Sequence, residues 1–249
     1  MTLERELAAL VGDLPEGISE GVALGTGLAD GFDYYESPIG TVVVTFNLTG
    51  VSGLGLAGDD WQTHFQKRTG RALLRAEAPR AWARHLPEAI EAGRPGKVPV
   101  DLRTVTPFQE KVLEVTARIP RGEVRSYAWL AKEAGRPSAV RAAGSAVARN
   151  PIPLMIPCHR VVRSDGRIGN YSLGNPANKL ALLDHEGADP LWLEKLASRG
   201  IRFRANIRTK IFCHPTCRHI RRSKPENVVD LHGIEETVGY QPCEVCRPV

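Results

Sequence analysis

The chain has 249 residues, of which 42% are hydrophobic and 24% charged, with a formal net charge of +5. These are ordinary proportions for a soluble globular protein, and the length allows two or three modest domains with buried cores. No apolar run approaches the roughly 20 residues of a membrane span, and the opening MTLERELAAL reads as a short amphipathic helix rather than a secretion signal, so the expected location is cytoplasmic with no membrane role.

Residues 1–31 are Gly-rich and read as a lead-in segment. Residues 32–100 read as an N-terminal α/β domain. Thr41–Phe46 is β-branched and predicts a strand, Gly50 and Gly53 punctuate a turn, and Val51–Leu56 predicts its return. Residues 59–93 look helical in pieces, anchored by Trp61, Phe65, Trp82 and Leu86. Nothing in this domain looks catalytic. The Pro/Gly-containing stretch 94–99 is a natural connection to the next domain, 101–190.

That second domain opens on a clear helix signal. Thr106 is an N-cap, Pro107 suits the first helical position and Gln109 completes a capping box; Phe108, Val112, Val115 and Ile119 share one face. Two short helices follow, expected to be capped by Ser126 and Ser138. Gly135 and Pro137 separate them, and Asn150-Pro151 ends the second. This is helix-turn-helix geometry. The second helix carries a run of small residues from Ala142 to Ala148, suited to close approach by a helix or a nucleic-acid groove. Charge favours the nucleic acid: residues 118–167 hold ten Lys/Arg against three Asp/Glu, and residues 199–249 hold ten against five.

The most informative stretch is Asn150-Pro151-Ile152-Pro153-Leu154-Met155-Ile156-Pro157-Cys158-His159-Arg160-Val161. Its prolines rule out a helix across residues 151–157 and stiffen the backbone. A thiol of ordinary pKa is only partly ionised at neutral pH, and an adjacent base makes it a strong nucleophile. His159 is adjacent in sequence but would point away in an extended chain, so a relay requires a bend, a water or a helical turn. Glu186, in Leu182–Gly187, is a candidate to orient the imidazole.

Pro157–Val161 resembles the acceptor motif of the O6-alkylguanine-DNA alkyltransferases. The resemblance extends in order through Thr106–Gln109, Gly122–Tyr127, Gly169–Ser172 and Leu182–Gly187, covering roughly residues 32–187. It implies suicidal repair of double-stranded DNA, in which an alkyl group moves from guanine O6, with thymine O4 as a secondary candidate, onto Cys158. His159 resembles the base that activates the thiol through a bound water, and Glu186 the carboxylate that holds it. Asn150 resembles the amide supporting the active-site turn. Tyr127 resembles the phenol that rotates the nucleotide and donates to N3. Arg141 resembles the arginine that fills the gap left by the flipped guanine. Ser172 resembles a donor to O6, with Tyr171 beside it in the substrate contact, and the carbonyls of Cys158 and Val161 resemble groups that read the exocyclic amine. Base flipping fits the physics, since a methyl on O6 is buried in the stack. The sequence departs from the family at Val105, where glycine is common, and at Arg136, where asparagine is common.

The other four cysteines lie in residues 191–249. Cys213 and Cys217 are spaced C-x3-C, Cys243 and Cys246 C-x2-C, with 25 residues between the pairs. Without a secretion signal this favours metal over disulfides, and four thiolates suit one tetrahedral Zn²⁺. His214, His219 and His232 are nearby alternatives. No organic cofactor is expected, and the protein is expected to be monomeric. The segment resembles the zinc domain of the bacterial adaptive-response protein Ada, in which the first cysteine accepts a methyl group from a DNA methylphosphotriester. Cys213 is then a candidate second acceptor. Methylating one of four zinc-bound thiolates lowers the cluster's charge from −2 to −1 and weakens repulsion with phosphate. The order of domains is reversed relative to that protein, and its separate regulatory helix-turn-helix domain is missing. The alternative is a non-catalytic alkylated-DNA binding or sensing protein whose zinc domain is only a DNA-binding module.

Overall fold

The computed structural model describes residues 16–58 and 61–248. The expected helix at the start of the chain lies outside those residues. The remainder of the segment read as a lead-in carries regular structure: helix α1 (Glu16–Thr26) and the start of strand β1 (Ala29–Tyr35). β1 was hidden because Ala-Asp-Gly reads as a turn. Here Asp30 is fully buried, and Arg71 Nε meets its carboxylate at 2.7 Å. A partner 41 residues away therefore makes a strand of a stretch with weak strand propensity.

β1 joins β2 (Val42–Phe46), β3 (Val51–Leu56) and β4 (Ala72–Arg75) in a sheet of order β3-β2-β1-β4. β1–β2 and β2–β3 are antiparallel and β1–β4 parallel. β2 is buried along its whole length, as its run of three valines requires. Helices α2 (Trp61–Thr69), α3 (Arg80–Ala83) and α4 (Leu86–Ala92) accompany the sheet. The core formed by Val42, Val44, Phe46, Trp82 and Leu86 also contains Ile152, Leu154, Met155 and Ile156. The first domain thus supports the proline-rich loop, and Leu54 N–H donates to Pro151 O at 2.9 Å.

The second domain contains α5 (Pro107–Ala117), β5 (Arg125–Ser126), α6 (Tyr127–Glu133), α7 (Val140–Ala148), β6 (Val161–Val162), α8 (Pro176–His185) and α9 (Pro190–Ser198). Thr106 caps α5, its hydroxyl accepting from Gln109 N–H. The reciprocal half of the capping box does not form, because Gln109 Nε2 donates instead to Arg149 O at 3.0 Å, closing a carbonyl left open at the end of α7. Ser126 caps α6 as expected. Ser138 does not cap α7: the helix starts one residue later, Ala139 is its N-cap, and no side chain is used. α5, α6 and α7 pack around Val112, Val115, Leu130, Ala143 and Val147, and Cys158 and Val161 belong to the same core.

The last domain is a four-stranded sheet of order β10-β8-β7-β9, from β7 (Phe203–Asn206), β8 (Ile211–Cys213), β9 (Val228–Leu231) and β10 (Gln241–Pro242), with the short helix α10 (Arg218–Arg221). It packs directly on the second domain. Trp129 Nε1 of α6 donates to Cys246 O at 3.0 Å, and Arg247 pairs with Glu133 at 2.7 Å.

Candidate active site

Cys158 opens one turn of 3₁₀ helix, Cys158–Arg160, immediately after Pro157. This is the bend that an extended Cys-His pair would lack. Asn150 organises the approach: its Nδ2 donates to Ile156 O at 2.8 Å and its Oδ1 accepts from Ile152 N–H at 3.1 Å. Cys158 N–H closes onto the same Ile156 carbonyl at 2.8 Å. The thiol is 3% exposed. Burial pushes its pKa up, opposed by the Asn150 amide, the Lys179 ammonium and the Tyr171 hydroxyl.

His159 is buried, and its Nε2 meets Glu186 Oε1 at 2.9 Å. Glu186 stands at the C-cap of α8, where the chain turns through Gly187 at φ 75°. Burial alone would raise the Glu186 pKa, but the hydrogen bonds from His159 and Arg160 outweigh it and bring it to about 2. An ionised carboxylate only accepts, so Nε2 carries the proton and Nδ1 presents its lone pair. Nδ1 has no protein partner among the described residues. Burial lowers the His159 pKa despite Glu186, which keeps the ring neutral and able to take a proton.

Two buried cations in the site were not singled out from sequence. Arg160 is 1% exposed. Its Nε donates to Glu186 Oε2 at 2.9 Å and its Nη2 to Oε1 at 2.6 Å, while Nη1 serves Ile119 O at 2.7 Å and Gly93 O at 3.1 Å. Gly93 is at φ 62°, and any Cβ there would collide with the guanidinium. The available signal was a charged residue opening the apolar pair Val161-Val162. Lys179 Nζ donates to Val161 O at 2.6 Å, Ile168 O at 2.7 Å and Asn170 O at 3.3 Å. Burial lowers its pKa to about 8. Its setting in Asn-Lys-Leu-Ala reads as a solvated helix face, so local pattern carried no signal.

Tyr127 is half-buried, and burial followed by the nearby Cys158 raises its pKa. Tyr171 is also half-buried; its ring meets His159 edge-on at 6.4 Å, and its hydroxyl adjoins Cys158. Cys158, His159, Glu186, Asn150, Tyr127 and Tyr171 therefore gather in one place. The Val161 carbonyl faces Lys179. Ser172 and Arg141 are exposed, and Arg141 forms no ion pair or side-chain hydrogen bond among the described residues. Arg141, Ala142, Ser145, Ala148 and Arg149 make the outer face of α7, with small residues between two cations.

In the last domain, Cys213, Cys217, Cys243 and Cys246 are all buried and their Sγ atoms lie within 4.8 Å of one another. Tetrahedral zinc with Zn–S near 2.3 Å needs sulfurs about 3.8 Å apart, and four sulfurs this close together can supply that geometry. His214, His219 and His232 are outside this ligand group.

Residues 107–188 match the family model for the 6-O-methylguanine DNA methyltransferase, DNA binding domain. A constitutive methylated-DNA–protein-cysteine methyltransferase of Bacillus subtilis is 35% identical over 159 residues, covering 62% of this chain and 95% of that protein. The chain belongs to the methylated-DNA–protein-cysteine methyltransferase family. Its Rattus norvegicus member is 59% identical over 81 residues, covering 32% of this chain and 39% of the rat protein. The Mycobacterium tuberculosis OGT crystallised with DNA superposes with a TM-score of 0.51 at 31% identity, over 66% of this chain and 99% of that one. Residues 196–249 match the metal binding domain of Ada. With the four-cysteine cluster, this family member carries a site for one zinc ion. No helix of the described residues is long and apolar enough to cross a membrane.

Proposed function

We propose that this protein repairs double-stranded DNA by transferring an alkyl group from O6 of guanine to Cys158, once and irreversibly. The observation that carries this reading is the buried Cys158 beside a neutral His159 whose Nε2 is held by ionised Glu186. Sγ makes no hydrogen bond to His159 Nδ1, so the thiol proton passes to Nδ1 through one intervening water. Glu186 then faces an imidazolium. The sulfur lone pair attacks the alkyl carbon in line, the carbon–O6 bond breaks, and its electron pair goes to the purine. Tyr127 donates toward N3 and Ser172 toward O6, neutralising the leaving base. The thioether has no route back, so one chain repairs one lesion. Asn150 holds the loop, Tyr171 and the Cys158 and Val161 carbonyls line the base pocket, and Arg141 fills the stack after flipping.

Zinc, when bound, keeps four sulfurs as thiolates and staples a domain of fewer than 60 residues that has little core of its own. The domain division proposed is 32–100, 101–190 and 191–249. The protein acts as a cytoplasmic monomer. A second transfer, from a methylphosphotriester to Cys213, rests on likeness to the metal binding domain of Ada. Cys213 is 1% exposed, so that transfer requires the cluster to open toward the phosphate. Intact-protein mass after incubation with O6-methylguanine duplex, followed by peptide mapping, tests the main reading: one added methyl on Cys158 is expected, and repair by Cys158→Ala would overturn it. In the Cys158→Ala background, DNA with a single methylphosphotriester tests the second acceptor. Methyl on Cys213 supports it; no transfer from an intact zinc site removes it.

A further inference from the structure

Besides its contacts to α6, the zinc domain meets the acceptor site at the segment Gly122–Ser126 and the neighbouring Gly187 turn. This segment has two duties in the second domain. Gly122 N–H donates to Glu186 Oε2 at 3.3 Å. Arg125 and Ser126 form β5, which pairs in parallel with Val161 and Val162 directly after the 3₁₀ turn of Cys158. It therefore touches both ends of the relay.

The same segment is held from its other side by the zinc-ligand loop. Val124 N–H donates to Thr216 Oγ1 at 2.9 Å, one residue before Cys217. Cys217 is the N-cap of α10, and the first N–H of that helix, from Arg218, donates to Glu123 Oε1 at 3.1 Å. Glu123 is 3% exposed and its other oxygen is paired with buried Arg125. At the end of α10, Arg221 Nη1 donates to Gly122 O at 3.1 Å and Gly187 O at 3.3 Å. Gly122 and Gly187 both have positive φ, at 72° and 75°, and Gly187 directly follows Glu186. A Cβ on Gly122 would lie 2.7 Å from Glu186 O, so the two turns are in close contact. Arg221 clamps them together.

We propose that Arg221 of the zinc domain is a positioning residue for alkyl transfer, fixing the Gly122 and Gly187 turns and through them the Glu186 carboxylate that holds His159. The inference rests on the reading of Cys158 as alkyl acceptor. An appended DNA-binding module would affect only reactions that involve DNA. A clamp on Glu186 affects Cys158 even with a substrate too small to touch the zinc domain.

The test uses the full chain and free O6-benzylguanine. Arg221→Ala should slow benzylation of Cys158 about five-fold, the size of one hydrogen bond felt at the transition state. Zinc should stay at one per chain. The His159 Nε2–H resonance in ¹⁵N NMR should shift or broaden as Glu186 loosens. Because a single nitrogen makes both bonds, an ammonium in the same place can donate to both carbonyls, so Arg221→Lys should recover most of the rate. A folded Arg221→Ala chain with an unchanged rate and an unchanged His159 resonance would overturn the inference. So would an equal loss in Arg221→Lys and Arg221→Ala, which would mark a general packing defect. If the wild-type chain leaves Cys158 unmodified, it is the reading of Cys158 that fails instead.

Discussion

Glu186 is a carboxylate that burial disfavours and four hydrogen bonds from Arg160 and His159 restore. Its folded pKa of about 2 lies below the unfolded carboxylate value, so its contribution to stability is complete above about pH 4.5. That contribution, on the order of 3 kcal/mol, is lost as pH falls from about 4.5 toward 2. His159 acts in the same direction. Its lowered pKa means the unfolded chain takes up the proton first, so acidification below about pH 6.5 favours unfolding. Urea denaturation from pH 7 to pH 3 should therefore show falling stability, with a flatter curve in Glu186→Gln. Lys179 makes a separate prediction. Lys179→Met leaves three carbonyls without their donor and should cost about 2–4 kcal/mol in denaturant unfolding. It also removes the cation that lowers the Cys158 pKa, so the pH–rate profile of Cys158 alkylation should move to higher pH.

At the scale of elements, α7 is predicted to separate binding from chemistry. Its inner face, Ala143, Ala146 and Val147, is core, while Arg141, Ala142, Ser145, Ala148 and Arg149 are open. Small side chains on that outer face suit a narrow groove, where a large one would hold the duplex away. Ser145→Trp should weaken duplex binding about ten-fold, or about 1.4 kcal/mol, and leave the reaction with free O6-benzylguanine unchanged. Arg141→Ala should slow repair of duplex DNA far more than reaction with the free base; equal losses would remove its role in flipping. α5 is held more simply. The Thr106 cap is a single hydrogen bond to Gln109 N–H, and Thr106→Ala should cost about 1 kcal/mol by thermal unfolding.

In the molecule as a whole, three units meet around the Cys158 loop. The first sheet supports the loop through Ile152, Leu154, Met155 and Ile156. The helical domain supplies the thiol's own core, and the zinc domain holds Gly122–Val124 from behind. Metal analysis should give one zinc per chain, lost when either cysteine pair is replaced. Chelation should then slow alkylation of Cys158 by free O6-benzylguanine, as well as destabilise the tail. DNA affinity should fall steeply with salt, as expected where two basic segments neutralise phosphates and release counterions.

Short-range chemistry was legible in the sequence alone. The Thr106 and Ser126 caps, the β2 and β3 strands, the proline-stiffened approach to Cys158 and the spacing within each pair of zinc ligands all depend on residues a few positions apart. What spans longer distances was not legible. β1 depends on Arg71 reaching Asp30, and although Glu186 was a candidate partner, spacing could not show that His159 meets it 27 residues away. Gln109 left its own capping box for a carbonyl 40 residues on, Lys179 read as part of a solvated helix face, and nothing local showed that backbone carbonyls would bury it and Arg160. The docking of the zinc domain on Gly122 crosses 99 residues. A local pattern records which conformations a residue prefers, whereas a buried polar group is decided by whichever distant partner can satisfy it, and only the tertiary structure brings that partner within hydrogen-bond distance.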